Sequence, residues 1–186
     1  MMNKRGRLFV ISAPSGAGKG TVIKELLTLK PDIYLSVSAT TRAPRTGETD
    51  GESYFFVTRE QFEKMISRAQ FLEHAEYVGE YYGTPKAPID EAVERGQDVI
   101  LEIEVQGAKQ VMAAAPDAVS IFIVPPSMEE LERRLRGRGT DSEEKLVKRL
   151  AMARQELEEK GDYDYVVVND VAEVAAEEIL AIMESE

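Results

Sequence analysis

Several residue types are absent or scarce in this sequence, and each absence excludes a class of chemistry. The 186 residues contain no Cys and a single His, which excludes disulfides and thiolate catalysis and makes multi-His metal sites and Ser-His triads difficult to build. Long apolar runs are missing, and residues 1–7 lack the apolar stretch and cleavage site of a secretory signal. We therefore expect a cytoplasmic protein without a membrane partner.

Basic residues are in the minority. Lys and Arg total 23 against 34 Asp and Glu, so the formal net charge of -11 disfavours binding to nucleic-acid polymers. The charge is uneven, because residues 155–186 hold eleven acidic side chains and one basic one, whereas residues 1–154 are nearly neutral. A small polyphosphate held by basic residues in the first part of the chain is therefore compatible with the composition.

Short apolar runs typical of buried strands alternate with segments of helical periodicity. Helices are predicted from Lys19 and over about 106–114, where apolar residues recur at helical spacing. The 43% of hydrophobic residues suffices for one core. This order predicts an α/β fold with a doubly wound parallel sheet, whose ligands bind at the carboxyl ends of the strands. The runs that predict strands are residues 8–11, 34–38, 99–103, 119–124 and 165–168.

Two segments interrupt this alternation. The first contains aromatic stretches and a short helix that begins at a capping box, Thr58 with Gln61, which predicts an inserted lobe. The second begins at Ser127, a predicted helix cap, and has Gly139 before a further capping box at Thr140, which predicts a hinged, mobile lid. The predicted division is a core of residues 1–37, 89–126 and 151–186, a lobe of residues 38–88 and a lid of residues 127–150.

The turn between the first strand and the first helix is nearly a phosphate-binding P-loop. Small residues there let successive backbone N–H groups point at phosphate oxygens, and Lys19 supplies a charge that bridges the β and γ phosphates. The strict pattern has Gly in place of Ala13 and Ser or Thr in place of Gly20, so the magnesium ligands stay open. The alternative is a Gly-rich turn with a surface lysine. The predicted nucleotide-binding residues are Ala13, Pro14, Ser15, Gly16, Ala17, Gly18, Lys19, Gly20 and Thr21.

A stretch of the predicted lobe, residues 40–56, resembles the signature of guanylate kinases. The resemblance implies a P-loop kinase that transfers the γ-phosphoryl group of ATP to GMP or dGMP with Mg²⁺ as cofactor, in purine nucleotide metabolism. It also implies that the inserted lobe binds the monophosphate. Further landmarks of that family follow in order across essentially the whole chain, at residues 71–73, 81–84, 102–107, 125–127, 136–140 and 168–170.

The resemblance also implies which residues bind GMP. Arg42 and Arg45 lie three residues apart on one loop and are able to fork around one phosphate, with tyrosine hydroxyls donating to its other oxygens. Guanine presents N1–H and N2–H₂ donors beside the O6 acceptor, so its binding site pairs a carboxylate, here Glu73, with hydroxyl donors. The GMP-binding residues implied are Ser38, Arg42, Arg45, Glu48, Tyr54, Glu73, Tyr82, Thr84 and Glu102.

These residues have simpler interpretations as well. Arg42 and Arg45 also fit a solvated basic loop, and the tyrosine rings fit strand packing. Glu73 stands on an alternating strand, where a solvent-facing acid is the default, and His74 beside it is expected on the opposite face without a role.

The resemblance also implies that cationic side chains of the lid belong to the site. Arg134, Arg138 and Arg149 would close over the phosphates and act with Lys19 as the catalytic residues, since phosphoryl transfer needs cations where negative charge builds. A solvated helix face is the alternative for the three arginines.

Two acidic residues alternate near the carboxyl end of a predicted strand. Glu102 and Glu104 therefore share one face, where acids anchor magnesium-bound water or the acceptor, or pair with Lys19. The family more often has Asp at both positions.

Two other functions stay open at this stage. One is a related kinase with another acceptor, such as AMP, UMP or a sugar phosphate. The other is a non-catalytic module of the same fold that binds a phosphopeptide, against which the retained Lys19 argues. The sequence predicts no oligomeric state.

Overall fold

The computed structural model describes residues 5–77, 79–137, 139 and 142–186. Within these ranges the strands are β1 (Leu8–Ser12), β2 (Tyr34–Leu35), β3 (Ala39–Thr40), β4 (Phe55–Phe56), β5 (Phe71–Tyr77), β6 (Glu80–Pro85), β7 (Val99–Glu102), β8 (Val119–Val124) and β9 (Tyr165–Val168). The helices are α1 (Lys19–Leu29), α2 (Arg59–Ser67), α3 (Lys86–Glu94), α4 (Val105–Ala114), α5 (Met128–Gly137), α6 (Glu143–Glu158) and α7 (Ala172–Ser185), and a short 3₁₀ helix spans Glu159–Asp162.

A five-stranded parallel sheet in the order β2-β7-β1-β8-β9 forms the core. Because side chains alternate across a strand, Phe9 and Ile11 of β1 pack with α1 and α7, while Val10 packs with α3 and α4 on the other face. Helices on both faces make this a doubly wound α/β fold, which confirms the predicted fold class. The edge strand β9 exposes Val166 and Val168.

The carboxyl end of β7 differs from its prediction. The strand ends at Glu102, and Glu104 is the N-cap of α4 with extended backbone angles. The short polar connection brings the first turn of α4 directly to the sheet edge where β1 also ends.

The segment between β2 and α3 folds as a second sheet in the order β4-β3-β6-β5. Phe62 of α2 is fully buried and stacks against Phe71 and Tyr81, with ring centroids 4.3 and 5.2 Å apart. The predicted capping box is present, because the side chains of Thr58 and Gln61 each accept the other's backbone N–H. This sheet and α2 lie within the segment predicted to be the inserted lobe, and α3 crosses the predicted boundary at residue 88.

Helices α5 and α6 pack on each other through a small apolar cluster. Ser127 accepts the backbone N–H of Glu130 at 3.1 Å, which confirms this predicted cap. Ser142 caps α6, whereas Thr140, the predicted cap, lies outside the described residues. None of the helices in the described ranges combines the length and apolar character needed to span a membrane. The cluster between α5 and α6 consists of Leu131, Leu135, Leu146 and Ala153.

Candidate active site

The loop between β1 and α1 has the backbone conformation of an anion-binding turn. Gly16 and Gly18 have φ angles of 95° and 91°, in the left-handed region that favours glycine. Gly18 caps α1, so the first N–H groups of the helix open into the loop. The turn therefore combines backbone donors with the positive end of a helix dipole.

Close packing against the loop also requires these glycines. A β-carbon on Gly16 would lie 2.6 Å from Leu135 of α5, and one on Gly18 would lie 2.5 Å from the Asn169 amide. Because side chains do not approach so closely, both positions exclude larger residues. The loop is thus shaped from two sides, by α5 and by the residue that follows β9.

A cavity of about 380 Å³ opens over this loop. Lys19 Nζ donates to the carbonyl oxygen of Ile103 at 2.9 Å and lies 3.6 Å from the Glu104 carboxylate, so the pairing of Lys19 with Glu104 is present. Ala17 is buried in the core, and it is the one predicted nucleotide-binding residue that does not line the cavity. The lining residues are Ala13, Pro14, Ser15, Gly16, Gly18, Lys19, Gly20, Thr21 and Glu104.

Two side chains of α6 bind one residue of the loop. Arg149 donates to the Ser15 hydroxyl at 2.8 Å, and the Ser15 backbone N–H donates to Glu156 at 3.3 Å. Residues seven apart lie on the same face of a helix. Burial raises the pKa of the Glu156 carboxyl above its usual range. Helix α6 therefore places one cation and one half-buried acid on the loop.

Arg134 of α5 approaches the loop from the other lid helix. Its guanidinium donates to the carbonyl oxygens of Ala17 and Asp170 at 3.4 and 3.3 Å. Glu130, one turn earlier, accepts its Nε–H at 2.7 Å. Arg134 and Arg149 thus both contact the loop or its immediate surroundings, and Arg138 lies outside the described residues.

A second cavity, of about 320 Å³, adjoins the loop. The buried Asn169 side chain donates to the Ala17 carbonyl oxygen at 2.7 Å and so fixes this wall. The lining residues are Gly16, Gly18, Thr21, Arg134, Asn169, Asp170 and Ala172.

In the lobe, Arg42 is held by an acidic and an aromatic neighbour. Its guanidinium donates to both carboxylate oxygens of Glu48, at 2.9 and 2.8 Å, and lies 5.4 Å from the centre of the Tyr54 ring. The Arg42 hydrogen bonds lower the pKa of Glu48 to about 2. The Tyr54 and Tyr82 rings meet edge to face, 6.1 Å apart. Arg45 is exposed, and its backbone N–H donates to Glu48 at 2.7 Å.

The lobe sheet also buries a carboxylate. Glu73 of β5 is 8% exposed, and its Oε1 accepts the Thr84 hydroxyl of β6 at 2.6 Å. Burial raises the pKa of Glu73, and the Thr84 hydrogen bond opposes that shift. Glu73 is therefore not the solvent-facing acid of the simpler interpretation, and His74 is exposed as expected. Ser38, the other predicted hydroxyl, is half-buried just before β3.

Glu102 lies beside the start of α1. A β-carbon on Gly20 would lie 3.5 Å from Glu102 Oε1, so the two residues face each other across a narrow space. Glu102 and Glu104 thus both lie next to the P-loop.

Comparison with known proteins decides the family. The family model described as Guanylate kinase matches residues 5–186. The chain belongs to the guanylate kinase family. It is 53% identical over 186 residues to the guanylate kinase of Clostridioides difficile (strain 630), covering 100% of this chain and 91% of that protein. It is 50% identical over 182 residues to the guanylate kinase of Synechocystis sp. (strain ATCC 27184 / PCC 6803 / Kazusa), covering 98% of this chain and 95% of that protein.

A solved guanylate kinase has the same fold. The crystal structure of guanylate kinase from Anaplasma phagocytophilum matches with a TM-score of 0.77 and 40% sequence identity, over 100% of this chain and 88% of that one. The relatives also support the activity, because they match over essentially the whole chain. This guanylate kinase is an ATP:GMP phosphotransferase, and the two other functions that the sequence left open are set aside.

The sequence assigned no site role to three residues at this guanylate kinase site, although two of them lie in the family landmark at residues 168–170. Asn169 and Asp170 line the second cavity, and their position directly after a predicted strand was a usable signal. Glu156 binds the loop from α6, and its spacing of seven residues from Arg149 was the corresponding signal.

Proposed function

We propose that ATP binds over the P-loop and GMP binds in the inserted lobe, so that the γ-phosphoryl group passes between them at the carboxyl edge of the parallel sheet. The observation that supports this most directly is the buried Glu73 carboxylate. Its Oε1 is held by Thr84, and its Oε2 takes no part in that hydrogen bond. A buried carboxylate needs hydrogen-bond donors, which a guanine edge supplies.

In this proposal, Glu73 accepts the N1–H and N2–H₂ groups of guanine and the Ser38 hydroxyl donates to O6, while Thr84, whose hydroxyl proton goes to Glu73, contacts the same base as an acceptor. Adenine has an unprotonated N1, so it would leave the carboxylate without donors in a buried position. Such a mismatch supplies discrimination of about 10⁴-fold in an optimised site.

The GMP phosphate is assigned to Arg42, Arg45, Tyr54 and Tyr82. Glu48 supports this assignment, because its two hydrogen bonds hold the Arg42 guanidinium in one orientation before any substrate arrives. The Tyr54 and Tyr82 rings meet edge to face, the Tyr82 side chain also interacts with Arg42, and tyrosine hydroxyls are able to donate to phosphate oxygens. Glu102 is assigned to the acceptor nucleoside.

Phosphoryl transfer in this site requires no protein nucleophile. An oxygen of the GMP phosphate attacks the γ-phosphorus in line, and the bond from that phosphorus to the oxygen bridging the β and γ phosphates breaks, which releases ADP. We assign stabilisation of the developing charge to Lys19, Arg134, Arg138 and Arg149. The contact between Arg149 and Ser15 supports this role for the lid.

Magnesium is proposed to accompany ATP, and the residues beside the loop fit this ion. Glu104 lines the cavity and offers carboxylate oxygens, and Gly20 leaves the neighbouring space free of a side chain. Mg²⁺ prefers oxygen ligands and retains several waters, so one or two carboxylates with phosphate oxygens suffice. When bound, the ion neutralises charge on the phosphates.

We further propose that residues 38–88 and 127–150 move as lobe and lid against the core formed by residues 1–37, 89–126 and 151–186. Their closure on both substrates would exclude water from the reacting groups. The protein is proposed to act in the cytoplasm, in purine nucleotide metabolism.

A coupled assay with ATP and a series of monophosphates tests the base assignment. We expect kcat/KM for GMP to exceed that for AMP by about 10⁴-fold, because adenine leaves the buried carboxylate unpaired. Preference for AMP, UMP or a sugar phosphate would overturn the assignment of Glu73.

A further inference from the structure

The carboxylate of Glu73 lies against the first turns of α4. A β-carbon on the buried Gly107 would lie 3.0 Å from Glu73 Oε2 and 3.2 Å from Cδ, closer than side chains normally pack. Thr84 holds Oε1 on the other side at 2.6 Å. The carboxylate therefore lies between β6 and α4, where a methyl group at residue 107 fits only if the carboxylate shifts by a few tenths of an ångström.

The next turn of α4 binds the neighbouring residue of β5. The Gln110 side chain accepts the backbone N–H of His74 at 3.3 Å and donates to the His74 carbonyl oxygen at 3.3 Å. Strand β5 is at the edge of the lobe sheet, so backbone groups on its outer side have no neighbouring strand to bind. At His74 the Gln110 side-chain amide forms the hydrogen bonds that a neighbouring strand would otherwise form. Gly107 and Gln110 are three residues apart and share one helix face.

Helix α4 itself belongs to the core. Val105, Ala108 and Val111 pack beneath the parallel sheet together with residues of β1, β7 and β8. The face with Gly107 and Gln110 is thus a rigid surface of the core against which the β5 strand of the lobe rests. A change at Gly107 or Gln110 therefore alters a direct contact of Glu73 or of its neighbour His74.

We propose that Gly107 and Gln110 are specificity-determining positioning residues, which set the place of the Glu73 carboxylate and thereby the preference for guanine. This inference rests on the proposed function, in which Glu73 binds the base. It also explains a glycine inside a helix, where that residue is otherwise unfavourable, because only glycine leaves room for the carboxylate.

Gly107→Ala tests the first residue. The methyl group displaces the carboxylate by a few tenths of an ångström, so we expect the KM for GMP to rise roughly three- to tenfold while kcat changes less than about twofold. The ratio of kcat/KM for GMP to that for IMP, which lacks the N2 amino group, should fall by a similar factor. Gly161→Ala is the matched control, because nothing lies within 4 Å of a β-carbon there. Equal effects of the two variants would overturn the inference.

A shorter carboxylate provides a rescue experiment. In Glu73→Asp the carboxylate withdraws by one methylene, which leaves room for a methyl group at residue 107. Adding Gly107→Ala to Glu73→Asp should therefore change the KM for GMP by less than about twofold, since contacting residues are not additive. Independent losses that multiply in the double variant would contradict contact between the two side chains as the cause.

Gln110→Leu tests the second residue with a side chain of similar size that forms neither hydrogen bond. We expect the KM for GMP to rise about threefold, the GMP to IMP ratio to fall and kcat to stay within about twofold, since the net value of such hydrogen bonds is modest. Gln106→Ala, at an exposed position of the same helix, is the control. An unchanged KM and ratio in Gln110→Leu would overturn the role of Gln110.

Glu73→Gln distinguishes failure of the inference from failure of the proposed function. If Glu73 does not bind guanine, Glu73→Gln leaves the GMP to IMP ratio unchanged and the proposed function fails. If Glu73→Gln lowers the ratio while Gly107→Ala does not, the inference fails and the proposed function stands. Thermal unfolding of each variant, followed by circular dichroism, separates these effects from loss of the fold.

Discussion

In the proposed function, the cation Lys19 binds the phosphates of the donor ATP, and the carboxylate of Glu73 binds the base of the acceptor GMP. Lys19 extends from the first turn of α1 to the edge of the parallel sheet, where it contacts Ile103 and Glu104. Glu73 is enclosed by the lobe sheet and α4. Lys19 begins α1 beside the parallel sheet, whereas Glu73 lies on β5 of the second sheet, so their functions should be separable by mutation.

Lys19→Ala should reduce turnover by about 10³-fold or more while leaving GMP binding largely intact. The reason is that the lost cation acts on the β and γ phosphates of ATP and not on the acceptor. Steady-state kinetics and calorimetric titration with GMP measure the two effects. Lys24→Ala, on the exposed side of the same helix, serves as the control. Loss of GMP affinity in Lys19→Ala would argue against the proposed division.

The pH dependence of GMP binding should report on Glu73. Burial raises its pKa above the ordinary value of 4.5, so the carboxylate takes up a proton at a higher pH than an exposed glutamate does. A protonated carboxyl no longer accepts the guanine donors, so the KM for GMP should rise as the pH falls toward that pKa. Glu73→Gln should remove this dependence, and Glu76→Gln, exposed on the same strand, should retain it.

The same shift predicts a gain in stability when the charge is removed. A folded-state pKa above the unfolded value means that the contribution of Glu73 to stability is largest at low pH and is lost as the pH rises through the folded pKa. At pH 7 the carboxylate therefore destabilises the fold, and Glu73→Gln should raise the thermal midpoint. A lower midpoint would show that the Thr84 hydrogen bond outweighs burial.

For individual residues, the sequence predicts a role where the spacing of residue types has a direct chemical meaning. Lys19 follows a glycine-rich turn between a strand and a helix, so its position could be predicted from the pattern. The burial of Glu73 could not, because an alternating strand predicts a solvent-facing acid until α4 is known to cover that face. Glu156 was missed for a similar reason, since only the packing of α6 brings it to Ser15.

Among the elements, α5 and α6 support the P-loop from outside the parallel sheet. Leu135 of α5 packs directly on Gly16, and Arg149 and Glu156 of α6 both bind Ser15. In the proposed function, these helices are therefore part of the wall of the ATP site as well as a cover for it. A defect in their packing should therefore appear in ATP binding.

Leu135→Ala should destabilise the protein by about 3 kcal/mol, since it creates a cavity at a fully buried position. It should also raise the KM for ATP several-fold, because the side chain that shapes the loop at Gly16 is lost. Urea unfolding and steady-state kinetics measure the two effects. Leu29→Ala, which truncates a half-exposed side chain of α1, is the comparison and should change stability far less. Reduced stability with an unchanged KM for ATP would show that α5 does not shape the loop.

The type and order of the elements could be predicted better than their ends. Strands β8 and β9 have the predicted bounds, because each is almost entirely apolar. The end of β7 was misplaced, since Glu104 continues the alternating pattern but leaves the strand to cap α4. Thr140 and Ser142 are both suitable helix caps, so the sequence does not decide between them. The described helix α6 begins after Ser142.

For the whole molecule, the proposed closure of lobe and lid is directly measurable, because the chain has no cysteine that would compete for labels. Fluorophores attached through Glu63→Cys on α2 and Glu144→Cys on α6 should show higher energy transfer when GMP and a non-hydrolysable ATP analogue are both present. Closure brings these exposed positions together. A pair on the core, Lys24→Cys with Glu177→Cys, should not respond. Equal responses of the two pairs would contradict a lobe and a lid that move against a fixed core.

The edge strand β9 lies in the acidic part of the chain, and this affects how two molecules approach each other. Val166 and Val168 are 42% and 51% exposed there, and an exposed apolar edge strand is able to pair with the same strand of another molecule. The strand lies within the segment that holds eleven acidic side chains and one basic one, so two copies that approach edge to edge bring like charges together. The acidic segment therefore opposes self-association through β9, and this protection weakens as the pH falls toward the isoelectric point of about 4.8.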